Sequence, residues 1–214
     1  MRKYLAELIG TFALVFCCTG AAIVNEVSGD TITHVGIAIT CGLIVACMIY
    51  AVGDISGSHL NPVVTFGFWL AKEFPTKDLL PYMLSQTVGA FMASAILKFL
   101  FPASSTLGET LPSGTAMQSF IIEIIITFIL MFVILRVATG SKEQGMFAGL
   151  AIGFAVLLAS MFADPISGAS MNPARSLAPA VLSGHLHHIW IYLTAPVLGA
   201  SIAVIAWKAL KEKN

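Results

Sequence analysis

The sequence is short of charged residues. Only 10% of its 214 residues are Asp, Glu, Lys or Arg, whereas soluble domains carry about 25%. Because so few ionic groups cannot cover a globular surface, the shortage excludes an ordinary soluble protein. The 11 basic and 11 acidic residues also balance, so nothing indicates a nucleic-acid partner.

The sequence also lacks the patterns that mark enzymes and secreted domains. It has no nucleophile–base constellation, metal-ligand spacing or glycine-rich phosphate loop, so we expect no enzyme, no cofactor and no metal. The apolar run after Arg2 and Lys3 is a full span long without a clear cleavage site, which predicts a first helix rather than a signal peptide. All cysteines lie in apolar stretches rather than loops, and we expect them to be reduced and buried: Cys17, Cys18, Cys41 and Cys47.

Apolar residues, in contrast, are abundant. They make up 57% of the chain, and the mean hydropathy is +0.91. At roughly 20 residues per crossing, six runs are long enough to span a bilayer: 5–24, 35–53, 80–101, 118–137, 146–163 and 189–210. Two shorter segments, about 61–71 and 172–182, begin with Asn-Pro, a favoured helix start. The pattern predicts an all-α membrane protein in which residues 1–214 form one domain of six transmembrane helices and two re-entrant half-helices.

The basic residues predict an orientation. They concentrate at the N-terminus, the 2–3 and 4–5 loops and the C-terminus, which six spans place on one side. We therefore expect a multi-pass protein of the plasma (cell inner) membrane with both termini cytoplasmic. Lys98, near the outer end of the third span, is expected to snorkel. The basic residues on the predicted cytoplasmic side are Arg2, Lys3, Lys72, Lys77, Arg136, Lys142, Lys208, Lys211 and Lys213.

The chain contains an internal repeat. Residues 55–65 align without a gap with residues 166–176, an offset of 111 (166 − 55), and Gly36-Ile-Ala-Ile matches Gly149-Leu-Ala-Ile upstream. The repeats cover about 1–108 and 117–214, and three spans in each half make the second half inverted. The Asn-Pro segments then enter from opposite faces and meet near the midplane. Irregular backbone at that depth must line a cavity or be buried in protein, so the repeat predicts a pore.

The predicted pore would favour uncharged solutes. Two helix N-termini, each about half a positive charge, repel cations, and the side-chain amides can donate to a passing oxygen. Arg175 would narrow the outer mouth, repel cations and donate to hydroxyls, although a snorkelling arginine at the headgroups is the alternative. The predicted midplane residues are Asn61, Pro62, Val63, Asn172, Pro173 and Ala174.

Other polar residues leave alternatives. Glu7 and Glu123 are repeated intramembrane carboxylates, which fit either a proton relay or acceptors that support the irregular loops, and their repetition beside each half-helix favours support. The His-x-His-His run at residues 185–188 is interpreted as part of a polar loop rather than a metal site.

The two Asn-Pro boxes resemble those of the aquaporins, the major intrinsic protein family. Residues 55–63 read Ile-Ser-Gly-Ser-His-Leu-Asn-Pro-Val, and residues 167–176 read Ser-Gly-Ala-Ser-Met-Asn-Pro-Ala-Arg-Ser. The second match is highly specific, and the resemblance covers essentially the whole chain. It implies the aquaporin fold and a homotetramer with one pore per subunit, with water, small neutral solutes and the lipid bilayer as partners.

The resemblance also implies a selectivity filter of four residues, which fall on Cys41, Ser160, Ala169 and Arg175. Water-selective members typically have Phe and His at the first two positions, so small residues here imply a wider opening. This filter and the second box look like those of the Nod26-like branch, some members of which conduct metalloid acids. The short tails suggest a prokaryotic relative.

Two departures from the family pattern stand out. Val63 replaces the usual alanine of the first box and is expected to alter packing more than chemistry. Asp54 stands where the family usually has His, and would add negative potential at the cytoplasmic mouth.

The sequence therefore predicts passive flow of water, glycerol and metalloid acids such as silicic, boric and arsenous acid. The alternatives are a water-selective channel, a proton-coupled transporter that uses Glu7 or Glu123, and a structural membrane protein. If Cys41 lines the mouth, we expect mercurials to block the flux.

Overall fold

The computed structural model describes residues 1–210, and all regular structure within that range is helical. Six of the helices are long and apolar enough to cross a membrane, which confirms the predicted all-α fold. Lys211 and Lys213 of the predicted basic cluster lie outside the described residues. The helices are α1 Arg2–Val27, α2 Thr33–Ser56, α3 Pro62–Leu70, α4 Thr76–Leu100, α5 Ala116–Ala138, α6 Lys142–Met146, α7 Ala148–Ser167, α8 Pro173–Ser183 and α9 Ile189–Ala209.

The long helices present apolar stripes to their surroundings. On α4 the exposed residues Leu84, Val88, Met92 and Ile96 recur every fourth position, and similar stripes lie on the other spans. Residues spaced by four share one helix face. Exposed apolar surface of this extent is unfavourable in water and is suited to lipid or to neighbouring subunits.

Glycines allow the spans to approach closely. A Cβ on Gly89 would lie 2.3 Å from the carbonyl oxygen of Leu8, and one on Gly199 would lie 2.4 Å from that of Ile124. Because small residues let helix backbones touch in membranes, these positions bring α4 onto α1 and α9 onto α5. The two halves of the chain use the same device.

The half-helices are α3 and α8, and both start at the predicted Asn-Pro dipeptides. Their C-terminal ends lie at opposite ends of the bundle. Near the end of α9, Lys208 donates to the carbonyl of Leu70 in α3 at 3.1 Å. Near the end of α4, Lys98 donates to the carbonyl of Leu182 in α8 at 2.7 Å. A cation at a helix C-terminus offsets the negative end of the helix dipole. Lys98, expected to snorkel, therefore also caps a half-helix.

A cavity of about 140 Å³ lies between the halves. Its wall includes residues of both half-helices, of the loops before them, and of α1, α2, α5 and α7. The fold thus places both Asn-Pro boxes beside one internal space.

Candidate functional site: the cavity between the half-helices

The two box asparagines cap their own half-helices and reach across to the opposite loop. Asn61 Oδ1 accepts from the Val63 backbone N–H at 2.9 Å, and its Nδ2 donates to the carbonyl of Met171 at 2.7 Å. Asn172 Nδ2 donates to the carbonyl of Leu60 at 3.0 Å. A primary amide has two N–H donors, so one N–H of each side chain remains for the cavity that both asparagines line.

Asn172 also caps its helix through its side-chain oxygen, which accepts from the backbone N–H groups of Ala174 and Arg175 at 3.1 and 3.3 Å. Val63 and Ala174 are buried in the main apolar core. Neither they nor Pro62 and Pro173 line the cavity. Of the six predicted midplane residues, the structure thus brings the two asparagines to the cavity and leaves the other four behind them.

The loop before each half-helix contains backbone in the left-handed region. Ser58 and Leu60 have φ of 48° and 53°, and Ala169 and Met171 have φ of 39° and 51°. Residues with a Cβ adopt this region at a cost of roughly 1–2 kcal/mol each. The surrounding structure must therefore hold both loops in place.

Glu7 provides that support in the first half. It is fully buried, and its two oxygens accept from Ser56 Oγ, Gln86 Nε2 and the backbone N–H groups of His59 and Leu60, at 2.6 to 2.9 Å. A buried carboxylate needs such donors to offset the loss of water. With four of them, Glu7 fixes the loop against α1 and α4.

Glu123 occupies the same position in the second half. Its oxygens accept from Ser167 Oγ at 2.8 Å and from the backbone N–H groups of Ser170 and Met171 at 2.8 and 2.9 Å. Neither Glu7 nor Glu123 lines the cavity. These contacts are those that a loop-supporting carboxylate requires.

Arg175 is buried beside the cavity. Its side chain lines the wall, and its NH1 donates to the carbonyl of Gly108 at 2.7 Å. The donor capacity of a guanidinium exceeds that single bond. Arg175 can therefore be anchored by the loop before α5 and still donate to a solute.

All four residues of the predicted filter, Cys41, Ser160, Ala169 and Arg175, line the cavity. They come from α2, α7, the loop before α8, and α8 itself. Because the other three side chains are small, the guanidinium is the one large group of the set.

The expectation that the cysteines are reduced is wrong for two of them. Cys18 and Cys41 form a disulfide, with their Cα atoms 4.7 Å apart, and Cys17 and Cys47 are free. The position of the cysteines within apolar spans predicts free thiols, because disulfides usually join extramembrane loops. The sequence has no signal for this pair, because the residues are 23 positions apart and become neighbours only when α1 packs on α2.

Sequence reasoning also missed several residues around the cavity. His59 lines it and stacks on Phe68 with ring centroids 4.7 Å apart. On the side of the second box, Ser170 and Ser176 hydroxyls lie 2.5 Å apart, and Ser176 lies 2.7 Å from the Thr110 hydroxyl. The repeat alignment could have indicated His59 and Ser170, because they occupy equivalent positions in the two boxes.

Two further candidates lie away from the cavity. Asp54 is exposed and does not line it. In the histidine run, His185 Nδ1 lies 2.6 Å from a carboxylate oxygen of Glu109, which places it in the polar loop network that the sequence predicts.

Comparison with known proteins identifies the family. Residues 1–207 match the family described as "Major intrinsic protein". Aquaporin NIP1-1 of Zea mays is 45% identical over 100% of this chain and 76% of its own length. Nodulin-26 of Glycine max is 45% identical over 94% of this chain and 74% of its own length. These relatives agree with the predicted Nod26-like branch.

A solved structure has the same fold. The aquaglyceroporin from Plasmodium falciparum superimposes with a TM-score of 0.87 and 24% sequence identity, covering 98% of this chain and 96% of that chain. The helices, the paired boxes and the relatives agree. The chain belongs to the major intrinsic protein family and is an integral, multi-pass membrane channel of the aquaporin type, not an enzyme.

Proposed function

We propose that the channel passes water together with glycerol and the neutral metalloid acids, such as silicic, boric and arsenous acid. The observation that carries this proposal is the set of small side chains, Cys41, Ser160 and Ala169, beside Arg175 in the cavity wall. Small residues leave room for a solute larger than water. Arg175 and Ser160 supply donors for its hydroxyl oxygens.

The two box asparagines extend this recognition to the centre of the cavity. Each keeps one amide N–H for a passing oxygen, while the helix N-termini behind them add partial positive charge. A polyhydroxylated neutral solute can accept from these donors in turn. A cation in the cavity is repelled by the two helix N-termini and by Arg175. Glu7 and Glu123 do not offset this repulsion, since neither lines the cavity.

We further propose the filter, midplane and supporting roles predicted above, a homotetramer in the plasma membrane, and cytoplasmic termini. The exposed stripes on the spans supply apolar surface for both lipid and subunit contacts. Lys72 and Lys77 flank the entry to α4 on the face that carries the termini, as the positive-inside rule requires.

The test is stopped-flow light scattering on proteoliposomes that contain the full chain. We expect water, glycerol and metalloid-acid permeation in the wild type. Ser160→His should reduce the flux of the larger solutes and retain water flux, because it fills the space beside Arg175. Ser160→Ala, the matched control, should keep the wide opening.

Water permeation without glycerol or metalloid flux in the wild type would contradict the wide filter and favour the water-selective alternative. If the solute accumulates in the presence of a pH gradient and the accumulation is lost when that gradient is dissipated, the result would favour a proton-coupled transporter instead. A passive channel equilibrates its solutes and accumulates none.

A further inference from the structure

The disulfide lies in the wall of the cavity. Cys18 of α1 and Cys41 of α2 both line it, and they are 8% and 5% exposed. The other two cysteines, Cys17 and Cys47, are free and do not line the cavity. A solute in the cavity can therefore contact the disulfide-bonded pair but not the two free thiols.

The pair lies inside the bundle, in the half that is farther from the termini. Cys41 stands eight residues (41 − 33) after the start of α2, or roughly 12 Å along its axis. Cys18 stands nine residues (27 − 18) before the end of α1, or roughly 14 Å. Both distances are measured from the face opposite the N-terminus. In the proposed orientation that face is extracellular, where disulfides persist.

The anchor of Arg175 lies next to this pair. Arg175 donates to the carbonyl of Gly108 at 2.7 Å. Gly108 has φ of +64°, and a Cβ on it would lie 2.7 Å from the carbonyl oxygen of Thr19. Because Thr19 follows Cys18 in α1, the loop that holds Arg175 packs closely against the helical turn that contains Cys18.

We propose that Cys18 and Cys41 are a reducible disulfide pair whose reduced, dithiol form binds trivalent arsenic in the pore. A phosphine reduces the disulfide: with one water it yields two thiols and the phosphine oxide. Arsenous acid then condenses with both thiols, forming two As–S bonds and releasing two waters, while the third hydroxyl stays on arsenic.

The geometry suits two-point binding. Sulfurs that can bond to each other can also both bond to one soft atom, and thiolates prefer such atoms. The cavity is small, with a volume of about 140 Å³. An arsenic atom fixed in this wall therefore occupies a substantial part of the path and obstructs flow.

The binding experiment uses the full chain in detergent, before and after treatment with a phosphine reductant. Maleimide alkylation with peptide mass spectrometry should show Cys18 and Cys41 blocked before reduction and reactive after it. Sodium arsenite should then protect both cysteines from maleimide. Cys18→Ser should abolish the protection of Cys41, whereas Cys17→Ser and Cys47→Ser should retain it.

The flux experiment measures water permeation in proteoliposomes. Arsenite should reduce it strongly after reduction and leave it unchanged before reduction. Free Cys18 and Cys41 thiols in untreated protein would overturn the disulfide, and reactive thiols that arsenite does not protect would overturn the arsenic site.

This inference rests on the proposed function for the access of arsenous acid, but the protection assay requires no transport. Protection without metalloid flux would leave the site standing and contradict the proposed solute range. Metalloid flux without protection would do the reverse. The wild-type comparison before and after reduction decides between these outcomes even if a cysteine variant fails to fold.

Discussion

The two box-bearing loops share their backbone and differ in their chemistry. Each has two non-glycine residues in the left-handed region, a capping asparagine that reaches across, and a buried glutamate beneath it. Tyr82 and Tyr192 complete the match, since their hydroxyls donate to the carbonyls of Ser56 and Ser167 at 2.9 and 2.7 Å. The shared features hold the loops and bring the half-helices together.

The differences lie in side chains at equivalent box positions. Val64 in the first box corresponds to Arg175 in the second, and both line the cavity. His59, among the aromatic rings of Phe68, Phe74 and Tyr82, corresponds to Ser170 in its hydroxyl network. Symmetry thus builds the cavity, while departures from symmetry make one end polar and charged and the other aromatic.

The glutamates give the largest expected effect, since each accepts hydrogen bonds from several buried donors. Glu7→Ala removes the acceptor for four donors and Glu123→Ala removes it for three. Each buried donor left unpaired costs about 1–3 kcal/mol. We expect a destabilisation of at least about 3 kcal/mol, which lowers Tm by roughly 6–12 °C.

Thermal unfolding in detergent measures this effect, with Glu7→Gln and Glu123→Gln as matched controls that retain one acceptor oxygen. Both alanine variants should also lose permeability because their loops lose the left-handed conformation. A stable Glu7→Ala channel with normal water flux would show that the two carboxylates have different roles.

The next effect concerns the difference between Val64 and Arg175. Arg175→Val makes the second box resemble the first and removes the buried charge from the cavity wall. We expect ion or proton leakage to rise at least tenfold, equivalent to about 1.4 kcal/mol of barrier. A pH-sensitive dye in proteoliposomes measures proton leakage under an applied potential.

Arg175→Lys is the control for that variant, because it retains the charge and loses the planar fork of donors. It should restrict cation leakage while weakening solute selection. Equal leakage through the wild type and Arg175→Val would mean that the helix N-termini alone exclude cations.

Gln86 gives a smaller effect and tests an asymmetry outside the boxes. Its Nε2 donates to Glu7 and to Thr65 Oγ1 at 2.7 and 2.9 Å, whereas Pro196 stands 110 residues later (196 − 86) in α9. Gln86→Leu loses two hydrogen bonds but also removes a buried side-chain oxygen that has no partner within residues 1–210.

The opposing terms leave a net loss of about 1 kcal/mol, and we expect Tm to fall by roughly 2–4 °C. Differential scanning calorimetry of Gln86→Leu, compared with the near-isosteric Gln86→Glu, measures this fall in Tm. A loss as large as that of Glu7→Ala would mean that Gln86, rather than Glu7, limits the stability of the first loop.

Much of this architecture could be predicted from the sequence because it depends on local patterns. Apolar runs determine the spans, and Asn-Pro determines the start of each half-helix. The register between α2 and α7 could not be predicted. The repeat alignment shows which residues are equivalent, not which residues touch. In the structure, α2 and α7 approach closely at Gly42 and Gly153, where a Cβ on either would lie 2.7 Å from the other's carbonyl oxygen.

The site shows the same division. The filter residues that the family resemblance implies all line the cavity. The Cys18–Cys41 bond and the contact of Gly108 with Thr19 join residues far apart in the chain. Such contacts depend on how helices rotate against one another, and apolar helices without a strong polar face give little indication of rotation.

The lysines at the ends of the half-helices give the smallest expected effect. Lys98 and Lys208 are exposed, and they donate to Leu182 at 2.7 Å and to Leu70 at 3.1 Å. A cation at an exposed helix end contributes about 0.3–1 kcal/mol. Lys98→Met and Lys208→Met should therefore each lower Tm by no more than roughly 4 °C, with Lys98→Arg and Lys208→Arg as charge-retaining controls.

The double variant sharpens this last test. The two lysines lie at opposite ends of the bundle and share no partner among residues 1–210. The Lys98→Met, Lys208→Met protein should therefore show the sum of the two single shifts in Tm. A shift greater than the sum would mean that the half-helices respond as one unit. The hydrogen bonds of Asn61 to Met171 and of Asn172 to Leu60 are the contacts that would transmit such coupling, since they tie each half-helix to the loop of the other.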